Sequence, residues 1–135
     1  MSINSSIPIY VESRYKVDRK KIKAKIEYVL SQKNVVVPTE VSVAIVGDRK
    51  MRKLNKKYRG IDKTTNVLSF SQSEGDVTGL PREILFLGDI VISYPVVIQE
   101  AVIEKMYVDD KIGELVEHGL LHLLGEHHTL LEIGN

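Results

Sequence analysis

All four histidines of this 135-residue chain fall in one window, His118-Gly-Leu-Leu-His122-Leu-Leu-Gly125-Glu126-His127-His128. Imidazole is the commonest metal-ligating side chain and titrates near neutral pH, which makes this window the chain's candidate for chemistry. On a helix His118 and His122 stand about 40° apart on one face and one turn apart. Two ring nitrogens so placed can reach one ion at the roughly 2.0–2.1 Å typical of zinc. Gly125 can adopt the left-handed conformation that ends a helix, which would turn the chain back and let His128 approach the same ion. The adjacent His127 is a rival for that third place, although the spacing favours His128. Three imidazoles leave a fourth position open, the pattern of catalytic rather than structural zinc. Glu114, one turn before His118, can orient it or accept a proton; an ordinary i,i+4 surface pair serves equally.

The same spacing occurs in metzincin proteases, where a Glu follows the first His and acts as general base. Here that residue is Gly119, so a peptide-cleaving reading loses its support while metal binding keeps its own. Leu120, Leu121, Leu123 and Leu124 interleave with the histidines as a buried helix pattern would. The chain has no cysteine, which excludes disulfides, thiolate zinc sites and cysteine nucleophiles, so a metal must use His, Asp or Glu.

The elements that carry this window belong to a folded chain. With 43% hydrophobic and 27% charged residues and no low-complexity run, one domain spanning residues 1–135 is expected. Neither a signal peptide nor a membrane-spanning run is recognisable, which points to a cytoplasmic protein without a membrane partner. Net charge is +1, yet the charge is polarised. Arg14 to Lys25 holds seven basic residues against Asp18, and Arg49 to Lys63 holds eight against Asp62. From Ile98 onward eight acids face only Lys105 and Lys111. Two basic stripes can attract a polyanion, or can be solvated helix faces.

Periodicity predicts a strand at Ile7 to Val11, then a helix capped by Asp18 and running to about Leu30. A strand at Glu40 to Val46 and a helix capped by Asp48 and ending near Tyr58 follow. Strands are expected at Asn66 to Phe70 and Ile90 to Tyr94, separated by a mobile loop over Ser71 to Glu83. Two helices follow, at about Val96 to Lys105 and from Asp109 or Asp110 to Leu124, ending at Gly125. The order predicts an α+β fold, a small mixed four-stranded sheet packed with four to five helices, with the zinc site at the end of the C-terminal helix.

The run from His118 to His128 resembles the signature H-G-x-L-H-L-x-G-x-x-H of the YbeY family, bacterial zinc-dependent endoribonucleases of ribosomal RNA maturation. Leu54-Asn55 with Tyr58-Arg59, then Thr65-Asn66-Val67-Leu68-Ser69-Phe70, then Leu87-Gly88-Asp89-Ile90 resemble its other blocks in order and spacing, covering roughly residues 40 to 128. Where family members usually carry Asp before the last ligand, this chain has Glu126-His127, and Ser71 stands where a Pro often follows Leu-Ser-Phe. The resemblance implies one zinc ion on His118, His122 and His128, a catalytic arginine at Arg59, and a site role for Asp89. It also implies action on small-subunit ribosomal RNA and in ribosome quality control, with the ribosome or its proteins as partners. Other functions with the same residues are a ribosome-associated assembly factor whose zinc is structural, or a zinc hydrolase of another substrate.

Overall fold

The computed structural model describes residues 5–12, 14–72 and 84–126. In chain order the elements are β1 (Ser5–Ser6), β2 (Ile9–Val11), α1 (Arg19–Gln32), β3 (Thr39–Val46), α2 (Asp48–Arg59), β4 (Val67–Ser71), β5 (Leu85–Ser93), α3 (Tyr94–Glu104) and α4 (Val108–Glu126). They form a mixed α/β architecture of one five-stranded sheet and four helices. None of these helices is long and apolar enough to cross a membrane.

The expected four strands become five because the strand expected over Ile7 to Val11 narrows to β2 and an unexpected two-residue β1 precedes it. Pro8 has no N–H to give a ladder, so β1 and β2 pair separately with β3, and Pro8 contributes only its carbonyl, which accepts from Val43 N at 2.9 Å. The sheet then runs β3, β5 and β4, with β3 and β5 parallel and β4 antiparallel at the edge. Strand β5 begins at Leu85, five residues before the expected start. Its first half escapes an apolar-run reading because Gly88 and Asp89 interrupt it. Gly88 sits at φ 142°, beside a register shift in the β3 pairing, and a Cβ there would lie 2.0 Å from the Phe70 carbonyl oxygen. Only glycine fits that approach.

Alternation along β3 and β5 divides the core between the two sheet faces. Val41, Val43, Ile45, Ile90 and Ile92 pack with Ile22, Ile26 and Leu30 of α1 and with Ile112, Val116, Leu120 and Leu123 of α4. Val46 and Val91 point the other way and join Leu68 of β4 and Met51 of α2. Helices α1 and α4 therefore cover one face, and α2 the other.

The helix ends rest on different devices. Asp18 caps α1 by accepting from Lys21 N at 3.1 Å, as its sequence position suggests. Asp48 does not cap α2: Gly47 holds the cap position without a side-chain bond, and Asp48 begins the helix. The Asp48 carboxylate instead accepts from Ser93 Oγ at 2.7 Å and from Thr64 Oγ1 at 3.0 Å, fastening α2 to the end of β5. Helix α3 opens at Tyr94, with Ser93 accepting from Val96 N and Pro95 in its first turn.

Helices α3 and α4 are joined by one buried cation. Lys111 Nζ meets Glu114 at 2.6 Å, Glu104 at 3.0 Å and Glu100 at 3.7 Å, with 6% of its side chain exposed. Burial alone would lower this ammonium, but Glu114 and Glu104 outweigh it and hold the pKa up at about 12. A cation raised above its unfolded value adds stability that is complete below the unfolded pKa of 10.5 and is lost as pH rises through about 12.

Two measurements check this packing. Lys111→Met leaves three carboxylates without their cation; because they keep contact with water, the cost by urea denaturation at pH 7 is about 2 kcal/mol. In α4, a Cβ on Gly113 meets only the flexible Lys25 Cε at 3.4 Å, whereas one on Gly119 meets Ile90 Cγ2 at 3.0 Å and Cγ1 at 3.3 Å. Gly113→Ala should stabilise by roughly 0.5–1 kcal/mol through helix propensity, and Gly119→Ala should destabilise by about 1 kcal/mol because overpacking exceeds that gain.

Candidate functional site

The histidine-bearing face of α4 is set by the face that α4 buries. Ile112, Val116, Leu120 and Leu123 are fully buried, and Gly119 lets the helix backbone lie directly on Ile90 of β5. His118 and His122 are left exposed. By helical angle Lys111, His118 and His122 lie within about 40° of one another. Lys111 faces α3, and the histidines continue its stripe along the flank turned to β4, the edge strand against which α4 packs. The opposite flank carries Asp110 and Glu117, which meet Lys21 and Lys25 of α1 at 2.6 and 3.2 Å.

Gly119 acquires a structural meaning here. Position 119 is buried against the sheet, so a carboxylate at this point would enter the core rather than meet an ion on the exposed flank. Glu114 is engaged by the buried Lys111 at 2.6 Å rather than by His118, to which it makes no hydrogen bond among the described residues.

The end of α4 differs from expectation. The helix continues through Gly125 to Glu126, and the positive-φ glycines among the described residues are Gly60 and Gly88. Gly125 has helical neighbours on both sides and does not make the left-handed stop proposed to swing His128 round. His127 and His128 lie outside the described residues, as do 73–83, most of the loop expected from Ser71 to Glu83. Among the described residues no group of three His, Asp or Glu is gathered in a way that could hold a metal ion. What the described chain offers a metal is therefore a pair, His118 and His122, solvent-facing and one helical turn apart. Those donors suit zinc, which takes imidazole nitrogen readily.

Arg59 ends α2 on the other sheet face, exposed. Gly60 follows in the left-handed conformation at φ 72°, and the return bonds Gly60 N to Lys56 O and Ile61 N to Asn55 O close the helix. Beside Arg59, the Tyr58 ring packs on Phe70 of β4 with centroids 5.0 Å apart. The cross-strand partner of Phe70 is Asp89, so Asp89 shares the α2 face and its carboxylate accepts from Ser42 Oγ of β3. Arg59 and Asp89 thus lie on one side of the sheet and the two histidines on the side that α4 covers, with edge strand β4 touched from both.

Other residues of the quoted blocks have architectural roles that spacing gave no means to assign. Asn55 is buried and donates to the Lys63 carbonyl at 2.9 Å, holding the segment after α2 against the helix. Asn66 donates to Glu100 of α3 at 3.2 Å, and its carbonyl accepts from Ser93 N at 3.0 Å. These ties fix where α2, α3 and the β4 edge stand relative to one another.

The two basic windows separate. In the first, Arg19 donates to the Ile9 carbonyl at 2.6 Å, Lys21 pairs with Asp110 and Lys25 with Glu117, so three of its cations fasten α1 to its neighbours. In the second, Arg49, Arg52, Lys53, Lys56 and Lys63 line an open groove of about 990 Å³, together with Asp48, Asp62 and Thr64. Arg52 Nε meets Asp62 at 2.8 Å, and this hydrogen bond holds the Asp62 carboxyl below its ordinary pKa.

Comparison with known proteins bears on the whole arrangement. The family described as Endoribonuclease YbeY matches residues 9–132. An Endoribonuclease YbeY of Roseiflexus sp. is 37% identical over 114 residues, covering 83% of this chain and 71% of its own length. That of Magnetococcus marinus is 39% identical over 102 residues, covering 72% of this chain and 69% of its own. The solution structure of TM1509 from Thermotoga maritima superposes with a TM-score of 0.57 at 28% identity, over 87% of this chain and 71% of that one. A match from the second strand through the histidine window, with relatives named alike, settles the affiliation: this chain belongs to the YbeY endoribonuclease family.

Proposed function

We propose that the chain acts as one domain and is a metal-dependent endoribonuclease of small-subunit ribosomal RNA maturation and ribosome quality control. In this reading one zinc ion is held by His118, His122 and His128, and the partners are ribosomal RNA and the ribosome. The observation that carries the metal site is the pair His118 and His122: two exposed imidazoles one turn apart on a helix whose other side is firmly buried. A core histidine pair would be enclosed; these are presented outward. The substrate class rests on the family and on the basic groove of α2.

Strand β4 is the element around which RNA would be handled. A strand laid across this edge meets Arg59 from the α2 side and the histidines from the α4 side. Arg59 offers a planar fork of N–H donors that can grip two oxygens of a phosphodiester and hold charge as it builds on phosphorus. Tyr58, packed on Phe70, stiffens the chain immediately before Arg59. A zinc ion at the histidines supplies Lewis acidity toward a phosphoryl oxygen or an attacking hydroxyl. The rigid anchoring of α4 on Ile90 keeps the imidazoles at a fixed place relative to the edge, so positioning is provided before the RNA arrives.

The test combines metal content with cleavage. Elemental analysis of purified protein should give one zinc per chain, and ribosomal RNA should be cut in a chelator-sensitive way. His118→Ala with His122→Ala should remove both the zinc and the cleavage. Arg59→Ala should retain the zinc and lose about 10²–10³-fold in cleavage rate, as for removal of one charge-stabilising donor. Bound zinc without any cleavage would identify a structural metal, and cleavage surviving zinc loss would remove the mechanism.

A further inference from the structure

We propose that the groove between α2 and residues 60–64 is a track for the backbone of single-stranded RNA, leading to Arg59, and that the basic window of α1 has no part in it. The inference deepens the reading of the site as an RNA-cleaving one and rests on it.

The first ground is the alignment of the cations. Arg49, Arg52, Lys53 and Lys56 follow one another at helical spacing and line one groove with Lys63. Arg52, Lys56 and Arg59 lie at i, i+4 and i+7, within about 60° of one another around the axis, so the stripe runs into Arg59. From Arg49 to Arg59 the helix rises about 15 Å.

A second ground is that the opposite wall is held in place. The left-handed Gly60 reverses the chain, Asn55 pins the Lys63 carbonyl, and Thr64 donates to Asp48 at 3.0 Å. A built wall facing a helical stripe makes a concave channel, where a solvated helix face would be convex. The groove contains two carboxylates, and both are occupied: Asp48 by Ser93 and Thr64, Asp62 by Arg52 at 2.8 Å with Lys56 at 4.0 Å. Arg49, Lys53 and Lys63 make no ion pair among the described residues. Asp62 stands where a phosphate oxygen would, so RNA entering the groove takes over Arg52 and Lys56 from it.

The α1 window differs in kind. Arg19, Lys21 and Lys25 are bonded to the protein itself, and α1 lies on the opposite sheet face from α2. Its Lys20 and Lys23 are exposed, do not line the α2 groove and make no ion pair among the described residues.

The experiment measures binding of a 2′-O-methyl single-stranded oligonucleotide, which lacks the free ribose hydroxyl, to the zinc-loaded full chain by fluorescence anisotropy, across 50 to 200 mM salt. Each phosphate contact contributes about 0.7 to the slope of log affinity against log salt for single strands. Arg49→Gln with Lys53→Gln should therefore reduce that slope by about 1.4 and weaken binding, while Lys20→Gln with Lys23→Gln should leave both unchanged. Asp62→Asn should tighten binding. An unchanged slope in the α2 double variant, or an equal loss in the α1 double variant, overturns the proposal. Ribosomal RNA cleavage by the same proteins separates the two readings: groove-dependent binding without cleavage sinks the catalytic reading alone, and cleavage with groove-independent binding sinks the groove alone.

Discussion

The contact on which the rest depends is the one between Gly119 of α4 and Ile90 of β5. With no side chain at 119, the helix backbone approaches the central strand so closely that even a methyl group would press on Ile90. That approach fixes the rotation of α4 about its own axis, and with it which residues face water. His118 and His122 are exposed because their neighbours Leu120 and Leu123 are fully buried. The Lys111 cluster acts on the same helix two turns earlier, tying it to α3 and resisting rolling or sliding. A metal held on one helical turn would need this, since ligand atoms must hold their places to a fraction of an ångström.

A second principle of organisation is the division of cations between internal and external work. A net charge of +1 conceals it. Two lysines of α1, Lys21 and Lys25, are matched to acids on α4, so the acidic part of the chain and its first basic window meet each other. The cations of α2 meet few acids and line a groove instead. Exposed pairs of the first kind add little stability each, but they use up charge that a polyanion would otherwise see.

Much of this was legible in the chain itself. Helix α1 and strand β3 were readable from apolar spacing, and Asp18 from its position ahead of a helix. The histidine pair on one helical face followed from their separation by four. What could not be read depended on contacts between distant segments. Pro8 separates β1 from β2 because it lacks one donor, and the front half of β5 hides behind Gly88, whose reason is the Phe70 carbonyl nearly twenty residues away. Asp48 looked like a cap and proved to be a cross-element anchor, because Ser93 and Thr64 both donate to one of its oxygens. At the site, local reasoning expected Gly125 to end the helix, yet α4 continues through it to Glu126; a glycine permits the left-handed turn without requiring it. Nor could spacing reveal that Arg59 and Asp89 share one sheet face while the histidines belong to the other, since strand register decides it.

In the proposed reading the exposed histidines of α4 hold a metal through imidazole nitrogen. X-ray absorption at the zinc edge of the purified protein tests it most directly. The fold predicts a nitrogen-containing shell at roughly 2.0–2.1 Å with the multiple scattering of histidine rings, and one ring fewer in His122→Ala. A shell of oxygen atoms alone, or one that His118→Ala and His122→Ala leave untouched, would contradict it.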